Sequence, residues 1–310
     1  VKEVVFTFVG EFSYAMNWIA PMVHNQFKEL DNVKKIVISF AAHEMLYRHF
    51  CDEFIAFPTE ITDNLYYPAT VGEHVNENGQ IKDVTPDFVV KYCKKLFPSA
   101  DIMISPPINA HQMMPCGVYE HLLPINNVKG EVDTFLDGFD KDKTITIMPK
   151  FRMRGYSSDE MYYDDQNWDL DNWLDIINNL IRDGFNVVSM YMKSSSGGGG
   201  TLSIPIEHPN FREFVIDINS KCALDRQAWL LKLTLCSIYG STGAHNFPFW
   251  VNTPSYAIIL ERYHHRSFHE WQKKLTDNHK NNKIISVDDF SKCKYSDIYN
   301  DIFEYISGLK

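Results

Sequence analysis

Short runs of β-branched and aromatic residues, each closed by Gly, Pro or a polar residue and followed by apolar residues at helical spacing, recur along this chain. That alternation leaves few folds open. Glu3-Val-Val-Phe-Thr-Phe-Val9 runs into Gly10, and Ser13–Leu30 then repeats Trp18, Ile19, Met22, Val23, Phe27 and Leu30 at the spacing of one helix face. Lys35-Ile-Val-Ile-Ser-Phe40 reads as a second strand, Glu44–Phe50 as a second helix and Cys51–Phe57 as a third strand. β-α-β-α order favours a parallel sheet. Ligands of such sheets sit beyond the carboxyl ends of the strands, and Gly10-Glu11-Phe12 lies at the first of those ends.

The pattern continues and then restarts. Residues 58–79 lose periodicity and read as a long loop; Thr85 and Pro86 look like the start of a helix over Phe88–Phe97, and Ala100–Ser105 is a further strand. Pro106, Pro107, His111, Pro115 and Gly117 mark another irregular connection, with Tyr119–Leu123 helical in character. Asn126–Lys143 is polar and rich in Asp and Gly, which places a domain boundary there and gives domains of 1–140 and 141–310. Thr144-Ile-Thr-Ile-Met148 opens a second series, with Lys150, Arg152 and Arg154 at its exit. These cations suit a phosphate or a solvated basic loop. Asn167–Trp173 begins a helix with Asp169 as its cap; Gly184 stops it, and Asn186–Met192 is the next strand. Lys193–Thr201 is a Ser/Gly tract without the ending of a P-loop. A strand at Phe211–Asp217 and an apolar helix over Asp225–Cys236 lead to Ser237–Tyr239.

Behind that last strand comes Gly240-Ser-Thr-Gly-Ala-His245, then a turn that Pro254 ends and the buried run Ser255–Leu260. Gly240 and Gly243 allow close backbone approach, while Ser241 and Thr242 supply hydroxyls and N-caps. A strand followed by such a loop and a helix start suits an anion site built from exposed N–H groups and the helix dipole, with a plain surface turn as its other reading. Segment 277–284 reads as an exposed loop, followed by Val287–Phe290 and a terminal helix, Tyr295–Leu309, that can pack back on the first domain.

Composition narrows the function. The 310 residues carry a formal charge of −10, which argues against non-specific nucleic-acid binding. With 45% hydrophobic and 23% charged residues and no apolar segment of membrane-spanning length, the chain reads as a soluble, cytoplasmic protein. Peripheral contact with a membrane stays compatible with this. Six cysteines lack any zinc-binding spacing and read as reduced thiols.

Three motifs resemble the GT-B glycosyltransferases, and within them the heptosyltransferase family. Gly10-Glu11 matches a Gly-Asp pair whose carboxylate serves as base in that family. Asp164-Asp165-Gln166-Asn167-Trp168 is similar to its Asp-Asp-Lys-His-Trp run, with Gln166 in place of the lysine that contacts the donor. Ser241-Thr242-Gly243-Ala244-His245-Asn246 resembles Asp-Thr-Gly-x-x-His; Ser241 replaces the Asp and His245 arrives one residue early.

The resemblance implies an α/β, GT-B architecture, two Rossmann-like βαβ domains facing across a cleft, the first for the acceptor and the second for a nucleotide sugar. It implies transfer of a sugar from a nucleotide-diphosphate donor to the hydroxyl of a glycan or glycoconjugate, with inversion. Glu11 would be the base, and Ser241, Thr242, Gly243, Ala244 and His245 would hold the donor with Gln166. Arg152 and Arg154 would restore the charge lost at Gln166. No Asp-x-Asp tripeptide marks a metal-held donor, so neither metal nor cofactor is expected. Glu11 has a second reading, as an acid favouring a helix N-terminus; His245 has one as a core or capping residue. A non-catalytic nucleotide- or glycan-binding protein of GT-B shape and a polysaccharide pyruvyl-type transferase are the alternatives.

Overall fold

A computed structural model describes residues 2–9, 15–62, 87–104, 122–150, 153–155, 161–163, 167–193, 201, 203–217, 220–240, 246–261 and 281–309. By contacts the chain divides into two compact units, Val1–Leu122 with Asn219–Leu224, and Leu123–Ile218 with Asp225–Lys310.

The first unit is built from β1 (Lys2–Thr7), a π-helical turn (Ala15–Ile19) running into α1 (Ala20–Lys28), β2 (Val33–Ser39), a 3-10 turn (Ala41–His43), α2 (Glu44–Tyr47), β3 (Glu53–Ala56), α3 (Thr59–Thr62), α4 (Asp87–Leu96) and β4 (Asp101–Ile104). The single helix expected over 13–30 is therefore composite. Pro21 has no N–H to give and suits the first turn of α1, where none is needed. The four strands are parallel in the order β3-β2-β1-β4. Val5, Ile36 and Ile38 are fully buried and join Val89 and Cys93 of α4 in one core.

The second unit contains α5 (Lys129–Phe135), β5 (Thr144–Met148), a hairpin of β6 (Met153–Gly155) and β7 (Met161–Tyr163), α6 (Leu170–Arg182), β8 (Asn186–Lys193), β9 (Phe211–Asp217), α7 (Ala223–Lys232), β10 (Cys236–Tyr239), α8 (Phe247–Val251), β11 (Ser255–Leu260), β12 (Asn282–Val287) and α9 (Tyr295–Ser307). Six parallel strands lie in the order β12-β11-β10-β5-β8-β9. Every residue of β5, β10 and β11 is buried, as central strands covered on both faces require. At the edge, β9 alternates, and Val215 is 52% exposed.

Several elements depart from the reading of the sequence. The polar stretch 126–143 contains α5, and Val128, Val132, Leu136 and Phe139 are buried. Phe135 stacks edge-on against Phe214 of β9 at 4.6 Å. The units divide at Leu122/Leu123, ahead of that stretch. Asp169 stands at the N-cap of α6 without a capping bond from its side chain. The helix expected to reach Cys236 stops at Lys232, where Thr234 Oγ1 donates to the Leu230 carbonyl at 2.9 Å, and Cys236 already pairs with Ile145.

Asn282–Val287, half of it expected as exposed loop, is the edge strand β12, paired with β11 from Ser255↔Asn282 to Leu260↔Val287. Its lysine is accommodated because Lys283 Nζ bonds Asp301 of α9 and lies 5.8 Å from the Tyr256 ring. Tyr256 donates its hydroxyl to the same carboxylate at 2.6 Å. Ile298, Ile302 and Ile306 bury one stripe of α9 in the core of this second unit. Among the described residues no helix is long and apolar enough to cross a membrane. Cys51, Cys93, Cys222, Cys236 and Cys293 are free thiols, and burial pushes Cys236 up to about 12.

One buried group gives the first unit a pH dependence. Ser39 Oγ gives its only proton to the Phe8 carbonyl at 3.1 Å, so His43 Nδ1, 3.2 Å away, carries the hydrogen of that contact. His43 is 1% exposed, and burial lowers its pKa from 6.5 to about 3. Between those values the unfolded chain binds a proton that the folded chain refuses. Stability is therefore full above pH 6.5 and falls as pH drops toward 3, at up to about 1.4 kcal/mol per pH unit for one proton. His24, lowered by desolvation and then by Lys28, adds in the same direction. Urea unfolding between pH 7 and pH 5 should show this slope, and His43→Gln should reduce it by roughly one proton's worth.

Candidate functional site

In the six-stranded sheet the chain starts at β5, moves outward through β8 and β9, then returns to the other side of β5 with β10 and continues outward through β11 and β12. The direction of winding reverses between β5 and β10. In open parallel sheets a reversal of this kind is where helices on opposite faces part and ligands bind, beyond the carboxyl ends of the two strands. The register ends flush, with Ile147 opposite Ile238 and Met148 opposite Tyr239. One residue on, the Gly240 N–H still donates to the Met148 carbonyl at 3.3 Å. The chain thus leaves β5 and β10 side by side.

Gly240 is there for space. A Cβ on it would lie 3.1 Å from Cζ2 of Trp173, 3.4 Å from the Lys150 nitrogen and 3.5 Å from Lys150 Cβ. Trp173 comes from α6, is 1% exposed, and meets Trp168 edge-on at 5.3 Å. Trp168 Nε1 donates to the Cys293 carbonyl at 2.6 Å, so both indoles are core. Lys150 is 9% exposed, and its backbone forms an antiparallel bridge with Thr201, whose hydroxyl accepts the Met192 N–H at 2.6 Å. The exits of β5 and β8 are therefore tied together beside Gly240.

On the far side of residues 241–245 the chain resumes at Asn246, the N-cap of α8. All five residues of α8 are buried; the expected stop at Pro254 comes earlier, at Asn252 in the left-handed conformation with φ 54°. Pro254 instead accepts the Ser237 N–H at 3.0 Å. Asn246 is fully buried, yet neither end of its amide has a partner among the described residues. The Trp173 indole N–H is open in the same way. Buried polar groups left open cost about 1–3 kcal/mol each and call for an explanation.

Of the candidate site residues, Glu11, Arg152, Gln166, Ser241, Thr242, Gly243, Ala244 and His245 lie outside the described residues. Arg154 belongs to β6, its backbone opposite Tyr162. In the four-stranded sheet the winding reverses between β1 and β4, and Gly10-Glu11 come after β1 in the chain. The burial of Lys150 and Asn246 is not apparent from the sequence; an Asn opening an otherwise apolar Phe-Pro-Phe-Trp-Val helix was the available signal. His208 sits in a turn, where Nδ1 accepts the Asn210 N–H at 3.1 Å. Among the described residues no three His, Cys, Asp or Glu side chains are grouped to hold a metal ion.

Gly240→Ala should destabilise the second unit by about 1–3 kcal/mol, since the buried Trp173 ring must give way with the Lys150 backbone already in contact on the other side. Denaturant titration would register it, and a neutral substitution would show that the contact relaxes freely.

No family model matches the chain, and no curated protein matches it. Solved structures do. Heptosyltransferase II of E. coli, described as an ADP-heptose lps heptosyltransferase, aligns over 99% of both chains at 12% identity with a TM-score of 0.56. A glycosyl transferase of family 9 from Veillonella parvula aligns over 99% of this chain and 98% of its own, at 12% identity and a TM-score of 0.57. The E. coli heptosyltransferase WaaC, solved with ADP, aligns over 98% and 100% at 10% identity with a TM-score of 0.53. At these identities the likeness is one of fold, and the fold of this chain is GT-B, an α/β architecture of two Rossmann-like units.

Proposed function

We propose that the protein is a glycosyltransferase that moves a sugar from a nucleotide diphosphate to an acceptor hydroxyl with inversion and without a metal ion. The observation that carries this reading is the reversal of winding between β5 and β10, where Gly240, the residue before 241–245 in the chain, stands against Lys150. Support comes from the structural neighbours, one of them described as an ADP-heptose heptosyltransferase and another solved with ADP.

In this reading Glu11 removes the proton of the acceptor hydroxyl as its oxygen forms a bond to the anomeric carbon. The bond from that carbon to the diphosphate breaks on the opposite face, and the nucleoside diphosphate leaves with the electron pair. Backbone N–H groups of Ser241–Ala244, with His245, Arg152, Arg154 and Gln166, would stabilise the leaving charge. Asn246 adds a group that sequence reasoning passed over. Its open amide supports a role in holding the donor loop, because a buried amide without partners costs stability that an apolar residue would not.

Thermal-shift screening with UDP, GDP, ADP and CMP should find one nucleotide that raises the unfolding temperature. With its sugar donor, Glu11→Gln should lower kcat by about 10²–10⁴ while leaving the nucleotide shift intact. Turnover should survive a chelator. Nucleotide binding without turnover of any donor would favour the non-catalytic reading, and turnover of phosphoenolpyruvate would favour the pyruvyl one.

Asn246→Leu should move two readouts in opposite directions. The unfolding temperature should rise as the open amide disappears, and nucleotide affinity should fall about tenfold, the worth of one hydrogen bond to a charged group. A higher unfolding temperature with unchanged affinity would remove Asn246 from the site.

A further inference from the structure

A tryptophan folded into a core keeps one polar atom, the indole N–H, and usually hands it to an acceptor. Two tryptophans of the second unit do so: Trp168 Nε1 donates to the Cys293 carbonyl at 2.6 Å, and Trp229 Nε1 to the Ile125 carbonyl at 2.8 Å. Trp173 does not. It is 1% exposed, and its Nε1 has no acceptor among the described residues. An open donor at that depth costs stability that a purely apolar ring would not.

The packing fixes which way the ring is turned. Trp168 meets it edge-on at 5.3 Å, and Ile176, Ile177 and Leu180 of α6 share its core. Its Cζ2 atom lies 3.1 Å from where a Cβ on Gly240 would stand. Cζ2 is separated from Nε1 by a single ring carbon, so the edge that carries the N–H is the edge turned toward Gly240. That glycine follows β10 at the reversal of winding beside β5. The unpartnered donor thus faces the carboxyl edge of the sheet, where parallel sheets bind their ligands.

An indole N–H can only give a hydrogen bond, so the group it lacks is an acceptor. An anionic oxygen serves best, since hydrogen bonds to ionised groups are about twice as strong as those between neutral ones. Asn246 makes a different demand. Open at both ends of its amide, it needs a donor as well as an acceptor, which a peptide group supplies and an ionised phosphate does not.

We propose that Trp173 is a ligand-binding residue, its indole N–H donating to a phosphate oxygen of the nucleotide diphosphate. The assignment rests on the transferase reading for the identity of the ligand, and on the open N–H beside Gly240 for the residue. It gives α6 two tasks at once: the helix fills the core beneath the sheet edge and presents one neutral donor at that edge. The donor is held rigidly by the packing around the ring, so binding spends no side-chain freedom on it.

The test is the indole region of the proton–nitrogen spectrum of the full chain carrying isotope-labelled tryptophan, in which each of the six tryptophans gives one signal. The variant Trp173→benzothienylalanine puts sulfur in place of the N–H and keeps the shape of the ring; the signal it lacks is that of Trp173. Titration with ADP, GDP and UDP should move this signal downfield for whichever nucleotide binds, and inorganic pyrophosphate should move it too. Trp168 and Trp229, already bonded to carbonyls, should stay in place. The benzothienyl variant should keep or raise its unfolding temperature and lose about tenfold in affinity for the same nucleotide. A nucleotide that raises the unfolding temperature without moving the Trp173 signal, or that binds the benzothienyl variant undiminished, would make Trp173 a core residue only and leave the transferase reading standing. A Trp173 signal as far downfield in the free chain as those of Trp168 and Trp229 would reveal an acceptor within the protein and equally overturn the assignment. If neither nucleotide nor pyrophosphate changes the unfolding temperature or any indole signal, the donor reading fails and the assignment fails with it.

Discussion

The pairing of β5 with β10 is what the second unit depends on. Two central strands end at the same level, and the next amide, that of Gly240, is still held by the Met148 carbonyl. With the backbones locked at this height, Gly240 has no freedom of position, and the space beside it is already filled by the Trp173 ring and the Lys150 backbone. A Cβ here would push on the Trp173 ring. The requirement propagates outward. Trp173 is set by α6, which is set by Ile176, Ile177 and Leu180 against the sheet, and by Trp168, whose indole is tied to the segment before α9. The carboxyl edge of this parallel sheet is thus framed by core packing.

The terminal helix shows how an acidic chain of this kind finishes its sheet. An edge strand offers unpaired backbone groups and is usually blunted by charge or cover. Here β12 has both: Lys283 on the strand, and α9 over its face. Three tyrosines carry the cover's polar contacts. Tyr256 donates to Asp301, Tyr299 to Asp183 at 2.7 Å, and Tyr305 to the Asn281 carbonyl at 2.6 Å. Each hydroxyl reaches over an apolar body, so the same residues fill space and specify the angle of the helix.

Much of this was legible because central parallel strands leave little room for anything but Val, Ile and small residues. Thr144–Met148, Asn186–Met192 and Ser255–Leu260 were readable as strands, and their alternation with apolar runs at helical spacing gave parallel order in each unit. The misses share one physical cause. Segment 282–287 looks like loop because its Asn and Lys are matched by residues far away in sequence, Asp301 above all. Stretch 126–143 looks like linker because its four buried residues are scattered among charges at the spacing of a short helix. Tertiary partners, not local propensity, decide both. At the site, Gly240 behind β10 was visible in the sequence as a place of close backbone approach. The burial of Asn246 was not, since nothing in one sequence says which amides lose their water.

Residues 219–224 carry a consequence for how the chain is made. They belong by contacts to the first unit, although some hundred residues of the second unit precede them, and Lys221 comes within 3.8 Å of Glu44. On a ribosome the amino-terminal unit therefore emerges long before its last piece does. It must wait, with its contacts incomplete, until β5, β8 and β9 have been synthesised. Domains as a rule fold one at a time, as units, during translation. In this chain the two units share a schedule: the segment that completes the first also separates β9 from β10, so β10 and the finished first unit become available in the same interval of synthesis.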